Sequence, residues 1–219
     1  MKIAAFSDSH TLHEQVEIPG AEVLIFAGDM NNCRDQQDVT EFNTFLGSLP
    51  HKHKIVVAGN HDYLLAEDSR QAKELLNEAV YLQDEMVVIN GVSIYGSPWQ
   101  PSFNDLACDA FALPRGTHLQ EKWRMIPSGV DILVTHAPPA GIMDMDGPVS
   151  HGCFDLAEAL KSVQPRFHVF GHIHSEHGVI RHAETTYINC NVQAGGKKTR
   201  PALLFSCPPL HPVVTDGLS

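Results

Sequence analysis

The sequence predicts a mixed α/β fold with more than one sheet, or one sheet of mixed direction, and three observations carry that prediction. Short runs rich in Val and Ile recur along the chain, each bounded by Gly, Asp, Asn or His. Helical patterns separate several of them. An Asn-Gly pair between two further β-rich runs signals an antiparallel hairpin, because that dipeptide suits a type I′ turn.

In chain order, residues 2–6, 22–27 and 54–58 read as buried strands whose ends carry polar residues. Between the second and third, Asp35 can cap a helix with Val39, Phe42, Phe45 and Leu46 on one face. Ser69 can cap another, with Ala72, Leu75, Leu76 and Ala79 inward. The hairpin follows, as Met86-Val87-Val88-Ile89, Asn90-Gly91 and Val92-Ser93-Ile94-Tyr95. Residues 97–116, with Pro98, Pro101, Pro114 and Gly116, read as one long loop, and such loops are often functional. Strands at 131–135 and 167–170 flank a helix at 154–163, and 178–180, 185–189 and 202–205 add strands near the C-terminus. No internal repeat or low-complexity linker interrupts this order, so residues 1–219 are expected to form a single domain.

Composition narrows the function. The 219 residues are 43% hydrophobic and 19% charged, a globular rather than a disordered balance. No apolar run approaches the roughly 20 residues that span a bilayer, so an integral membrane protein is not expected. Met1-Lys2 is followed by only four apolar residues before Ser7-Asp8-Ser9-His10, too few for a secretory signal, and a cytoplasmic location is expected. Twenty-six acids against 15 bases give a formal net charge of -11, which argues against a broad nucleic-acid-binding surface. The five cysteines (33, 108, 153, 190 and 207) contain no C-x-x-C pair, so neither a disulfide framework nor a thiolate zinc knuckle is expected. Fourteen histidines are an excess that metal ligation or burial would explain.

Five polar motifs directly follow strand-like runs: Asp8-Ser9-His10, Gly28-Asp29, Gly59-Asn60-His61-Asp62, Thr135-His136 and Gly171-His172-Ile173-His174. Loops at the carboxyl ends of strands in open α/β folds share one crevice, so these residues can converge. Each supplies carboxylate oxygen, imidazole nitrogen or amide oxygen, all accepted by divalent metals. Singly, each is an ordinary helix cap, Asx turn or structural histidine; together, in this order, they point to a metal centre.

The set resembles the calcineurin-like metallophosphoesterase superfamily, whose pattern is D-x-H, GD, GNH[DE], H and GHxH, and the resemblance covers residues 8–174. Three further runs look like the branch containing the brain metallophosphodiesterases and small bacterial phosphodiesterases. They are 42–62, Gly96-Ser97-Pro98-Trp99-Gln100-Pro101, and Val163-Gln164-Pro165-Arg166 through His174.

The resemblance implies a four-layer αββα sandwich of two mixed sheets flanked by helices. It also implies a dinuclear site, with Asp8, His10 and His174 on the first metal, Asn60, His136 and His172 on the second, and Asp29 bridging both. Two divalent or mixed-valence ions, Mn, Fe or Zn, suit a donor set without thiolate. His61 is implied as the catalytic acid near the leaving-group oxygen, since histidine as a rule titrates near neutrality. Asp62 either orients His61 or caps the following helix. Asn60, His61 and Trp99 are implied substrate contacts, Trp99 as a surface for a nucleobase or as core packing. The implied reaction is in-line attack on phosphorus by a metal-bridging hydroxide.

The expected substrate is a small phosphodiester or nucleotide, cyclic nucleotides included, with no membrane partner; a homo-oligomer is compatible with this. A phosphomonoesterase or protein phosphatase with the same site is one alternative, and a metal- or nucleotide-binding regulator without turnover is another. Because both His172 and His174 are present, an active enzyme is expected. Gly195-Gly196-Lys197-Lys198-Thr199 lacks P-loop spacing and reads as a flexible basic loop. Asp144-Met145-Asp146-Gly147 reads as a rim of the site rather than a calcium loop. Cys153 is either a buried cap of the helix at 154–163 or a neighbour of the metals. Arg115 and Arg124 are candidate phosphate or protein contacts, and His51 and His53 read as surface residues.

Overall fold

A computed structural model of the chain describes residues 1–31, 35–102 and 109–209; Cys33, Cys108 and part of the 97–116 loop lie outside them. The first half contributes β1 (Lys2–Phe6), β2 (Val23–Ala27), helix α1 (Gln36–Ser48), β3 (His53–Val57), helices α2 (Tyr63–Glu67) and α3 (Ser69–Leu75), and β4 (Val80–Tyr81). The hairpin β5 (Glu85–Ile89) and β6 (Val92–Ser97) follows, then the short strands β7 (Gln100–Pro101) and β8 (Ala112–Leu113), helix α4 (Thr117–Trp123) and β9 (Ile132–Thr135). The remainder is β10 (Met145–Asp146), β11 (Val149–Ser150), helix α5 (Phe154–Val163), β12 (Phe167–Phe170), β13 (Gly178–His182), β14 (Thr185–Asn189) and β15 (Leu203–Ser206).

Two large sheets result, ordered β15-β1-β2-β3-β4 and β13-β14-β12-β9-β6-β5. Both are mixed: β1, β2, β3 and β4 run parallel with β15 antiparallel, while β6, β9, β12 and β14 run parallel between antiparallel edges. The period-two alternation of strand side chains explains the layering. On β1, Ile3 and Ala5 join Val23, Ile25, Ile55 and Val57 against Ile94, Ile132, Val134, Val169 and Ile188 of the other sheet. Ala4 and Phe6 point the opposite way, to Val39, Phe42 and Leu46 of α1. Across the second sheet, Tyr95, Leu133 and Phe170 pack under Leu119 and Trp123 of α4 and Leu156 and Leu160 of α5. The layers are therefore helices, sheet, sheet, helices.

Local chemistry sets the helix ends. Asp35 caps α1 by accepting from the Asp38 amide at 3.1 Å, and Cys153 Sγ caps α5 by accepting from the Leu156 amide at 3.3 Å. Ser69 is the first residue of α3 rather than its cap; Asp68 holds that role, accepting from the amides of Arg70 and Gln71. No described helix is long and apolar enough to cross a membrane.

Candidate metal centre

Asp8, Asp29 and Asn60 follow the parallel strands β1, β2 and β3 of one sheet, and His136 and His172 follow β9 and β12 of the other. The polar motifs therefore meet at one end of the sandwich. Backbone contacts between loops hold them there: Asp8 N–H donates to the Gly28 carbonyl at 2.8 Å, and Gly171 N–H to the His136 carbonyl at 2.9 Å. Asp8, His10, Asp29 and His172 all have positive φ, between 38° and 68°, which non-glycine residues adopt at a cost. Such strain concentrates at sites the surrounding structure is built to hold.

The donor atoms form two neighbouring groups. In one, His174 Nε2 lies 3.4 Å from Asp8 Oδ1, His10 Nε2 lies 3.3 Å from His174 Nε2, and His10 Nε2 is 3.7 Å from Asp29 Oδ2. In the other, Asn60 Oδ1 lies 2.9 Å from His136 Nε2 and 3.0 Å from His172 Nδ1, with His136 Nε2 3.3 Å from Asp29 Oδ2. Asp29 Oδ2 belongs to both. Asp8-His10-His174 and Asp8-Asp29-His136 are each compact enough to hold a cation.

Three observations fit metal ions to these residues. First, Asp8 and Asp29 are buried, and among the described residues the salt-bridge partners of both are histidines, so two buried carboxylates call for positive charge. Second, the Nδ1–H of His136 donates to the Ala27 carbonyl at 2.8 Å, which turns Nε2 toward Asn60 Oδ1 and Asp29 Oδ2, so that a cation there would take the position a proton on Nε2 otherwise holds. Third, a Cβ at Gly59 would collide with the Asp29 carboxylate, and one at Gly171 with the Asp8 carboxylate. Those glycines leave the carboxylates room to turn toward the centre.

The calcineurin-like phosphoesterase family model matches residues 1–176, which include every one of these donors. The chain belongs to that family. Among relatives of this calcineurin-like phosphoesterase, metallophosphoesterase domain-containing protein 1 of Homo sapiens is 40% identical over 217 residues, covering 87% of this chain and 66% of that protein. A UPF0046 protein of Caenorhabditis elegans is 35% identical, covering 94% of this chain and 75% of its own length. The fold resembles the solved TT1561 of Thermus thermophilus with a TM-score of 0.56 at 15% identity, over 86% of this chain and 88% of that one.

The centre is electrostatically polarised. Burial by itself would raise the Asp29 carboxyl, but the imidazoles of His136, His10 and His61 hold it far below the usual carboxylate range. Burial likewise opposes charge on His136, yet the Asp29 and Asp8 carboxylates outweigh it and push that imidazole up to about 10. His172 goes the other way, to about 3, through burial and the positive charge of His136. A cation on His136 or His172 takes the place of a proton, so these directions describe the protein's own charges.

His61 stands beside the centre. Its backbone N–H donates to Asp29 Oδ1 at 2.9 Å, its Nε2 lies 3.9 Å from Asp29 Oδ2, and its ring meets that of His10 edge-on at 4.8 Å. Asp62 neither orients His61 nor caps α2 with its side chain. Instead it accepts from the amides of Gly59 at 2.7 Å, Asp29 at 3.0 Å and Met30 at 3.2 Å, tying the β2 and β3 loops together. Burial and the Asp29 charge push its pKa up to about 7 against the amides of Gly59 and Asp29.

Trp99 is engaged elsewhere. Its indole N–H donates to the Asp84 carboxylate at 2.8 Å, its ring meets Phe111 edge-on at 5.6 Å, and Lys122 Nζ sits 4.0 Å over the ring. These contacts pack the half-buried indole against Asp84, Phe111 and Lys122. Arg115 donates to the Gly152 carbonyl and lies over Phe154. Cys153 is a buried cap, while Asp146 and His151 line a small cleft together with His172 and His174, a rim as expected. His51 is a correction: it is 5% exposed, with Nε2 donating to the Pro19 carbonyl at 3.1 Å, because the turn before β3 packs against the segment before β2.

Two supports lie outside the sequence motifs. Asn191 Nδ2 lies 3.3, 3.2 and 2.6 Å from the carbonyls of Ile173, His174 and Glu176, and Arg200 donates to the His174 carbonyl at 3.2 Å. Together they fix the turn that carries His174. The sequence signal for Asn191 is a sixth strand-end polar run, Asn189-Cys190-Asn191, after β14.

Proposed function

We propose that this chain is a dinuclear-metal-dependent phosphodiesterase acting on small phosphodiesters, cyclic nucleotides among them. The observation that carries the reading is Asp29 Oδ2, shared between a group formed with Asp8, His10 and His174 and a group formed with Asn60, His136 and His172. The family membership supports the phosphoester bond as the target. Two cations, Mn, Fe or Zn, would supply Lewis acidity at phosphoryl oxygen and a lowered pKa for water.

The chain's own residues do the rest. Asp29, fixed through both oxygens, sets the spacing of the two groups. Asn60 supplies a neutral oxygen donor and leaves more positive charge facing the phosphate than a carboxylate would. His61, 24% exposed beside Asp29, is placed to deliver a proton to the departing oxygen. Trp99 plays no part in this proposal.

Turnover of bis-p-nitrophenyl phosphate against p-nitrophenyl phosphate by Mn-loaded protein tests the reading. Diester preference is expected. Clear monoester preference would establish the phosphomonoesterase alternative, and inactivity across a substrate panel would establish a regulatory one.

A further inference from the structure

Behind Asp8 lies a buried hydroxyl. Ser7 Oγ donates to Asp8 Oδ2 at 2.5 Å, the length of a charge-assisted O–H···O⁻ bond, and Ser7 is fully buried. The His172 amide supplies a second donor to the same carboxylate, 3.0 Å from Oδ2 and 3.1 Å from Oδ1. Oδ1 lies 3.4 Å from His174 Nε2, in the group that also includes His10. With the Ser7 O–H and the His172 N–H on its two lone pairs, Oδ2 is fully engaged, whereas Oδ1 keeps a lone pair for a cation.

The backbone and the hydroxyl of Ser7 have separate roles. Ser7 N–H donates to the Cys190 carbonyl at 3.1 Å, and its carbonyl accepts from Val192 N–H at 3.1 Å, so main-chain bonds alone join the end of β1 to the segment after β14. The side chain adds nothing to that connection. The Cys190 thiol also borders the hydroxyl, but it gives its own proton to the Phe170 carbonyl at 3.3 Å, and a carboxylate is a stronger acceptor than sulfur. Gly171 keeps the space open, since a Cβ there would collide with both Ser7 Oγ and Asp8 Oδ2.

We infer that Ser7 is a positioning residue of the metal centre: its hydroxyl holds Asp8 Oδ2, so that Asp8 offers Oδ1 alone to the cation of the group formed with His10 and His174. The inference rests on the dinuclear reading for which cation is affected, and on the Ser7–Asp8 contact alone for what the hydroxyl does. Without the hydroxyl, a buried carboxylate oxygen loses a donor and Asp8 is free to turn. The group formed by Asn60, His136 and His172 has no such dependence on Ser7.

Calorimetric titration of metal-free, full-length protein with Mn tests this. The native protein should take up two equivalents. In Ser7→Ala one equivalent should bind about 10–100-fold more weakly and the other should change by less than about threefold, with the urea midpoint of the metal-free protein unmoved. Asp8→Ala should leave one equivalent, and adding Ser7→Ala to it should alter that equivalent by less than about threefold, because Ser7 acts through Asp8. Native affinities in Ser7→Ala, equal losses at both equivalents, or a further loss in the double variant would overturn the positioning role. A single equivalent in the native protein would sink the dinuclear reading. In that event the role of Ser7 stands if Ser7→Ala still weakens that equivalent with the urea midpoint unmoved, and falls if the affinity is unchanged.

Discussion

The carboxylate of Asp62 accepts hydrogen bonds from the backbone of Asp29 at 3.0 Å and of Gly59 at 2.7 Å, so the central carboxylate of the site is set by a second buried one. Asp62→Asn replaces a carboxylate that accepts three amides with a group that is itself half donor. We expect it to lower stability by roughly 1–3 kcal/mol and metal affinity together with it. Urea unfolding and elemental analysis check this; unchanged metal content would show that the loops hold their positions without it.

Asp29→Ala removes the oxygen common to both donor groups. Metal content after dialysis should fall from two equivalents toward none, with phosphoesterase activity lost. Two metals still bound by elemental analysis would remove Asp29 from the bridging role.

His61→Ala should keep both metals, because the imidazole, 3.9 Å from Asp29 Oδ2, is assigned to proton delivery rather than to either donor group. The rate should fall by about 10²–10⁴-fold, most steeply for diesters with poor leaving groups. A loss independent of the leaving group, measured across substituted phenyl esters, would contradict proton delivery.

His168 gives a pH signature away from the centre. Its Nε2–H donates to Thr135 Oγ1 at 2.8 Å, the Thr135 hydroxyl passes its own proton to the Ala137 carbonyl, and Nδ1 has no partner. Burial lowers the pKa from 6.5 to about 3. In the window between those values the unfolded chain holds a proton the folded chain does not, so stability is complete above 6.5 and falls as pH drops. By pH 5 the His168 share of the loss is roughly 2 kcal/mol, and His168→Gln should reduce the pH 7 to pH 5 difference by about that amount, as urea unfolding at the two pH values would show.

Asn191→Ala strips the donor from three carbonyls around His174. Metal affinity should fall about 10–100-fold, with a stability loss of roughly 1–2 kcal/mol. A competition titration with a chelator reads the first quantity. Affinity unchanged alongside reduced stability would make Asn191 a fold residue only.

Strands and site donors are legible in the sequence for one reason. The donors sit immediately after hydrophobic runs, so strand position and ligand position are the same observation, as at Phe26-Ala27-Gly28-Asp29. The Asn90-Gly91 hairpin is legible because its turn chemistry is local. What escapes depends on partners distant in sequence. Asp62 looks like a helix cap because its amide partners at Asp29 and Met30 lie more than thirty residues away. The partners of Trp99, Asp84 and Lys122, are likewise remote from it in sequence. Helix α4 is hidden just beyond what reads as loop, because only Leu119 and Trp123 are buried along its length.

The seven donor residues divide between the sheets: Asp8, His10, Asp29 and Asn60 hang from one, and His136, His172 and His174 from the other. A cation held by both groups is therefore a clasp across the sandwich, formed only when the two halves are docked. Its binding energy adds to folding by mass action, so thermal midpoints should climb with free metal concentration and drop on chelation. Such a protein would lose its grip between layers as metal runs short, and its survival against proteolysis would become a gauge of the metal supplied to it.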